Sequence, residues 1–246
     1  MEGTEKILSG AARLCLRRNT CHFLHYLDPA EQREAQQIAR EEGCGFASFG
    51  GYRDAERRIG CFFAEGLEPS PEEYPVVCLT SSFDSRFSGI THRDVLGAYM
   101  ALGLTRASVG DIITEDSRVF LFTEPGVSGF VTENLKSAGK AALCFAEMDP
   151  SRAVMPAQKG THFRAVVGSL RFDAVLAAAF RLSRSRAADL IRGGGCKLDY
   201  SVCKKTDAKV SPGAMLSLAG AGRIRLVSID GTTRRDRISI TLFRYG

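Results

Sequence analysis

The chain has 246 residues, 44% hydrophobic and 25% charged, with a formal net charge of +5. This is an ordinary globular composition with room for two or three compact domains. No run of eighteen apolar residues occurs, which excludes a membrane-spanning helix. Met1 to Asn19 lacks the continuous apolar stretch of a secretory signal, so the expected compartment is the cytoplasm.

The first segment, 1–71, reads as mostly helical with a short two-stranded element. Asp28-Pro29-Ala30-Glu31 is a helix start, with Asp as the cap, Pro at the first helical position and Glu at the third. Gly43 is its expected stop. Gly45–Phe49 and Ile59–Phe63 read as strands on either side of the Gly50-Gly51 turn, and 65–71 has linker composition.

The second segment, 72–170, opens on an apolar strand from Pro75 to Thr80. Thr91-His92-Arg93-Asp94 then starts a helix in the manner of a capping box. The Arg93-Asp94 pair reads either as helix-start chemistry or as a functional surface. Val109–Thr114 and Arg118–Thr123 are two strands separated by Glu115-Asp116-Ser117. A second helix across Thr132–Ser137, a strand from Ala141 to Phe145 and a further strand from Phe163 to Leu170 complete the segment. The order β-α-β-β-α-β is the split βαβ arrangement of ferredoxin-like and RNA-recognition-motif-like (RRM-like) domains. The basic-Gly-aromatic strand with which such sheets stack RNA bases is missing, so no base platform is expected here.

The third segment, 171–246, is a small basic module. It holds fifteen Lys/Arg against six Asp/Glu, a net of +9, while 1–170 holds eighteen against twenty-two, a net of −4. A split of this size points to a polyanionic partner held by one domain. Arg171 to Leu182 reads as one amphipathic helix. Ser183 caps a second, whose inward stripe is Ala187, Leu190 and Ile191. Gly193-Gly194-Gly195 reverses the chain into the strand Cys196–Leu198, and three strands follow at Met215–Leu218, Arg225–Ile229 and Ile238–Leu242. The fold class is therefore α+β.

Eight cysteines are spread along the chain without a Cys-x-x-Cys pair, so they read as small buried hydrophobes kept reduced, as in Leu143-Cys144-Phe145. Cys21-His22 with His25 lacks a second ligand pair. No metal, cofactor or catalytic residue is expected. A methyltransferase would need a strand followed by a glycine-rich loop, but Gly193–Gly195 follows a helix, and no P-loop occurs.

Residues 171–176, 183–191 and 194–198 resemble the S-four RNA-binding domain, whose pattern is Arg-Leu-Asp…Leu, then Ser-Arg…Ala…Leu-Ile, a glycine and a short strand. Phe172, Gly195 and Ala214 depart from it. Further strings extend the likeness: Phe49-Gly50-Gly51-Tyr52, Thr91-His92-Arg93-Asp94-Val95-Leu96-Gly97, Leu102-Gly103-Leu104 and Val109-Gly110-Asp111-Ile112. With them, most of the chain is similar to the YlmH-like family, in which an S-four domain ends a longer bacterial or plastid protein.

The resemblance implies a non-catalytic factor of ribosome-associated quality control. Such a factor contacts ribosomal RNA and peptidyl-tRNA on obstructed large ribosomal subunits. An older association of the family with cell division implies an adaptor instead. An S-four domain appended to a pseudouridine synthase or rRNA methyltransferase is the enzymatic alternative.

The expected partners are structured RNA (large-subunit rRNA, with tRNA) and the large subunit, with no membrane and a monomeric chain. The expected RNA-contacting residues are Arg171, Ser183, Arg184, Arg186, Arg192, Lys197 and Arg223. Arg184, Arg186 and Lys197 would form a compact positive edge at the second helix, whose N-terminal amides suit a phosphate. Arg184→Glu is expected to weaken RNA association without unfolding the domain.

Overall fold

The computed structural model describes residues 2–84, 89–115, 117–150, 160–233 and 236–245, so the turn residue Asp116 lies outside the described residues. The chain groups into two compact units, Met1–Met155 and Pro156–Gly246.

The first unit starts with α1 (Glu2–Arg18), β1 (His22–Leu27), α2 (Pro29–Glu42), β2 (Gly45–Phe49) and β3 (Arg58–Phe63). The start of α2 is the expected one. The Asp28 carboxylate accepts from the N–H groups of Ala30 and Glu31, and Glu31 accepts from the Asp28 N–H at 2.7 Å. Gly43 ends the helix at φ +78, a left-handed conformation that glycine adopts without steric penalty.

The sheet has three strands rather than two, in the antiparallel order β1–β3–β2. β1 has an irregular register between Phe23 and Tyr26. Leu24 and Leu27 therefore face the helices, while Phe23 and Tyr26 face the other side. A bulge breaks the period of two by which a strand is read from sequence.

The unit continues with β4 (Val77–Ser82), α3 (His92–Ala101), β5 (Val109–Glu115), β6 (Arg118–Thr123) and α4 (Pro125–Asn134). Then come β7 (Ser137–Ala138), β8 (Ala141–Ala142) and β9 (Ala146–Met148). The sheet order β5–β6–β4–β9 puts the four main strands in the split βαβ sequence, all antiparallel.

Two expectations shift here. The helix expected across Thr132–Ser137 ends at Asn134, and Ser137–Ala138 pairs instead with Ala141–Ala142. The strand expected at Ala141–Phe145 is displaced to β9. The Cys144 N–H donates to Ser81 Oγ at 2.8 Å, outside any ladder, and Cys144 is exposed between buried Leu143 and Phe145. The buried cysteines are Cys15, Cys61, Cys78 and Cys196.

Each face of the β4–β6 sheet has its own cover. Leu79, Val119 and Leu121 pack against Val95 and Tyr99 of α3 and Val131 of α4. On the other face Cys78, Phe120 and Phe122 pack against Tyr26, Ile59 and Cys61 of the first sheet. The first sheet in turn packs Leu27 and Phe62 against α1 and α2. The unit is thus layered helix, sheet, sheet, helix, and the segments expected to separate near residue 71 lie in one compact unit and meet through the cluster of Tyr26, Ile59 and Phe122.

The second unit contains β10 (Gly160–Val167), α5 (Phe172–Phe180), α6 (Arg184–Arg192), β11 (Cys196–Leu198), β12 (Ser201–Val202), β13 (Met215–Leu218), β14 (Gly222–Thr232) and β15 (Ile238–Tyr245). Its sheet runs β10–β15–β14–β13–β11–β12. The strand expected at Phe163–Leu170 as part of the middle segment belongs here. β10 pairs with β15 from Gly160–Tyr245 to Val167–Ile238, which moves the boundary from 170 to before β10. Phe172, Val175, Leu176 and Ala179 of α5 and Ala187 and Ile191 of α6 cover one sheet face, formed by Leu216, Ile224, Leu226, Ile240 and Leu242. Among the described residues no helix is long and apolar enough to cross a membrane.

Candidate nucleic-acid interface

The second unit presents its charge around the two helix starts. Arg171 is the N-cap residue of α5 and bridges to Lys209 in an antiparallel pair. The Phe172 and Asp173 N–H groups donate to the carbonyls of Ala208 and Thr206, so the chain itself occupies the amide end of α5. The start of α6 differs. Ser183 Oγ accepts from the Arg186 N–H at 3.2 Å, and the Ser183 carbonyl takes the Ala187 N–H. A helix leaves its first four N–H groups without intrahelical partners. Of these at α6 the Arg186 N–H is satisfied by the cap, the Ala187 bond being the first of the helix itself, and the N–H groups of Arg184 and Ser185 lie on an exposed turn.

Arg184 is not a loose surface charge. Its Nε donates to Asp173 Oδ2 at 3.0 Å and its Nη2 to Asp173 Oδ1 at 3.3 Å, while Arg171 Nε donates to the same Oδ1 at 3.3 Å. The Asp173 side chain is 8% exposed and that of Arg184 57%. Burial works to raise the Asp173 pKa. Hydrogen bonds from Arg184 and then Arg171, with their charges, outweigh it and leave the carboxyl below its ordinary value. One buried carboxylate thus aims two arginines.

The structure corrects the expected effect of Arg184→Glu. That change sets a carboxylate against buried Asp173, so it is expected to destabilise the unit as well as weaken binding. Asp173→Asn gives a cleaner check of the pairing. It is expected to lower stability by about 1–2 kcal/mol at pH 7, a value discounted for the exposed arginines. A carboxyl whose pKa falls on folding contributes fully above its unfolded value, and that contribution is lost as pH falls through the folded value. Urea unfolding of wild type and variant should therefore differ at pH 7 and differ by less at about pH 3. An equal difference at both pH values would exclude the pairing as its cause.

Arg186 lies about 200° around the helix from Arg184, away from the buried Ala187, Ala188 and Ile191. The inward stripe thus takes Ala188, and Leu190 is only partly buried. Arg192, in the last turn, pairs with Asp189 at 3.2 Å, both 64% exposed, a geometry that contributes little. Lys197 is exposed on β11, paired with Ser217.

The nine residues of α6 rise about 13 Å. Arg184 and Arg186 therefore stand at one end of the helix and Arg192 at the other, while Lys197 lies beyond it on β11. Arg223 lies apart from the helices on β14, with its guanidinium 5.4 Å from the Tyr245 ring centre. Lys209 beside Arg171, and Arg225 two residues beyond Arg223, were not singled out by sequence. The Arg223-Ile224-Arg225 alternation was the available signal.

Several residues of the strings in the first unit hold its architecture. Tyr52 Oη donates to Asp111 Oδ2 at 2.7 Å, the Glu56 N–H donates to the same oxygen at 2.7 Å, and the Arg57 N–H donates to Oδ1 at 3.0 Å. The Arg57 guanidinium donates to the carbonyls of Val109, Tyr26 and Arg106 at 2.8–3.0 Å. Burial pulls the pKa of Arg57 down, and burial with the nearby Arg57 charge brings Arg106 to about 10. Gly51 sits at φ +94, where a Cβ would lie 2.6 Å from the Phe122 ring. Thr91 and Asp94 form the reciprocal capping box of α3, which is the helix-start reading of that string.

The chain is similar to known proteins. A family model described as "Putative RNA-binding domain in YlmH" matches residues 69–151, the span that carries β4 to β9. The chain is 33% identical over 219 residues to the Ribosome-associated protein quality control protein P2 of Bacillus subtilis (strain 168), covering 89% of this chain and 85% of that protein. The solved structure of the Cell division protein ylmH from Streptococcus pneumoniae matches with a TM-score of 0.51 at 15% identity. It covers 61% of this chain and 94% of that one, a likeness of fold alone. Identity of this extent over nearly the whole chain, together with the matched central domain, makes the chain a member of the YlmH-like family.

Proposed function

We propose that the protein is a non-catalytic RNA-binding factor of ribosome-associated quality control. It binds large-subunit ribosomal RNA, and tRNA with it, on the obstructed large subunit. It acts as a cytoplasmic monomer without a cofactor, and residues 171–246 serve as its S-four RNA-binding domain. The observation that carries this reading is the start of α6, where two backbone N–H groups stand beside Arg184, itself held by Asp173. Fixed donors and a fixed guanidinium suit the phosphates of a folded RNA, whose shape rather than sequence is read. The +9 balance of 171–246 supplies the surrounding field. The name of the Bacillus subtilis relative supports the ribosomal setting.

Co-sedimentation of the purified chain with large ribosomal subunits across a salt series tests the proposal. If about four phosphates are neutralised, the logarithm of affinity falls against that of salt with a slope of about −3 to −4. Binding that does not respond to salt, or no binding at all, would count against it. Crosslinking in cells followed by sequencing of the attached RNA then locates the site. Large-subunit rRNA together with tRNA is the expected yield, whereas scattered messenger RNA would favour another role.

A further inference from the structure

The β4–β6 sheet of the first unit cannot offer its open face to bases, because Phe120 and Phe122 are buried there against Tyr26 and Ile59. The second unit has an open face of a different kind. Its sheet packs Leu216, Ile224, Leu226 and Leu242 toward α5 and α6. Alternation sends the intervening side chains to the opposite side.

Register sets these into rows. Across β10, β15, β14 and β13 one row reads His162, Phe243, Arg225, Met215. A neighbouring row across β14, β13 and β11 reads Arg223, Ser217, Lys197. Arg164 stands opposite Thr241 on the same side.

Rings and guanidiniums meet across these rows and beside them. The His162 and Phe243 ring centres are 4.8 Å apart, and those of Phe243 and Tyr245 5.0 Å. Arg225 lies 5.8 Å from the Phe243 and Tyr245 ring centres, and Arg223 5.4 Å from that of Tyr245. Phe243 is buried between its neighbours, His162 is exposed and Tyr245 is half-exposed. A carboxylate among the described residues of this side, Asp230, accepts from the hydroxyls of Ser228 and Thr241 at 2.6 and 2.7 Å. Among the described residues Arg164, Arg223, Arg225 and Lys197 give this face its basic character.

We propose that this outer face of the β10–β15–β14–β13–β11 sheet is a stacking platform for unpaired RNA nucleotides. Bases lie on the rings of His162 and Tyr245, and phosphates are met by Arg164, Arg223, Arg225 and Lys197. Aromatic rings interleaved with arginines bind single-stranded nucleic acid in this way, because every base has a π-face whatever its sequence. The proposal rests on the RNA-binding reading and deepens it. The α6 start holds the folded part of an RNA by its phosphates, while the sheet face holds a loop or bulge by its bases.

The test compares two RNA hairpins of equal charge by fluorescence anisotropy with the full-length protein. One has an unpaired loop of ordinary nucleotides and the other an abasic loop. Wild type is expected to bind the ordinary loop about tenfold more tightly. His162→Ala/Tyr245→Ala should lose that tenfold and keep the affinity for the abasic loop, and Tyr245→Phe should retain both.

Thermal melting monitors the fold. His162→Ala alone, on an edge strand, keeps the test available if the double variant unfolds, and it should lower ordinary-loop binding about threefold. Equal binding of both loops by wild type, or a loss shared by both loops in the variants, would overturn the platform while leaving RNA binding intact. Failure of wild type to bind either hairpin would overturn both.

Discussion

Replacing Asp111 by alanine is expected to destabilise the first unit by about 2–4 kcal/mol. Three donors converge on this carboxylate: the Tyr52 hydroxyl and the backbone N–H groups of Glu56 and Arg57. Each loses this acceptor in the variant, in a half-buried setting. Arg57 compounds the loss, because its position lets the guanidinium serve the carbonyls of Val109, Tyr26 and Arg106. The expected drop in melting temperature is roughly 5–15 °C. Asp111→Asn keeps acceptor oxygen but removes charge, so it should recover part of the loss. Tyr52→Phe removes one hydrogen bond and is expected to cost about 1 kcal/mol. Calorimetry of the three variants checks the series, and a shift below about 2 °C for Asp111→Ala would show that the three bonds carry little of the stability.

Reversing Arg186 and Lys197 together to glutamate is expected to weaken binding to large ribosomal subunits by roughly 10- to 100-fold at moderate salt. The salt slope should become shallower by about 2. Both side chains are exposed, Arg186 on the outward side of α6 and Lys197 on β11. The fold should therefore melt where wild type does. The two residues belong to different elements, α6 and β11, so their separate effects should add rather than overlap. Arg184→Glu is the informative contrast, since it loses binding and stability together through Asp173. Unchanged co-sedimentation of the double variant, with a normal melt, would remove both residues from the interface.

Local chemistry made much of this chain legible. The Asp28 and Thr91 caps, the Ser183 cap and the positive-φ Gly43 all stand where residue type alone placed them. Each involves partners three or four residues apart, so the sequence window contains the whole interaction. The β-α-β-β-α-β order was readable for the same reason, from strands of continuous apolar character such as Arg118–Thr123. What failed depended on distant partners. β1 was missed because its bulge breaks the alternation. The strand at Ala141–Phe145 was misplaced because Ser81, far away in sequence, captures the Cys144 N–H.

Charge asymmetry and motif spacing, both properties of the chain order, identified the basic module and the family resemblance of this protein. Tertiary structure alone decided which cations are spoken for. Asp173 reaches Arg184 eleven residues away and holds it, and β10 crosses to β15, leaving rings and arginines on one face of the sheet. Nothing in the sequence states how far apart Arg186 and Lys197 will stand, or that Tyr52 will meet Asp111. Those distances arise from packing two cores, where burial of apolar surface sets the register and polar groups must then find partners within it.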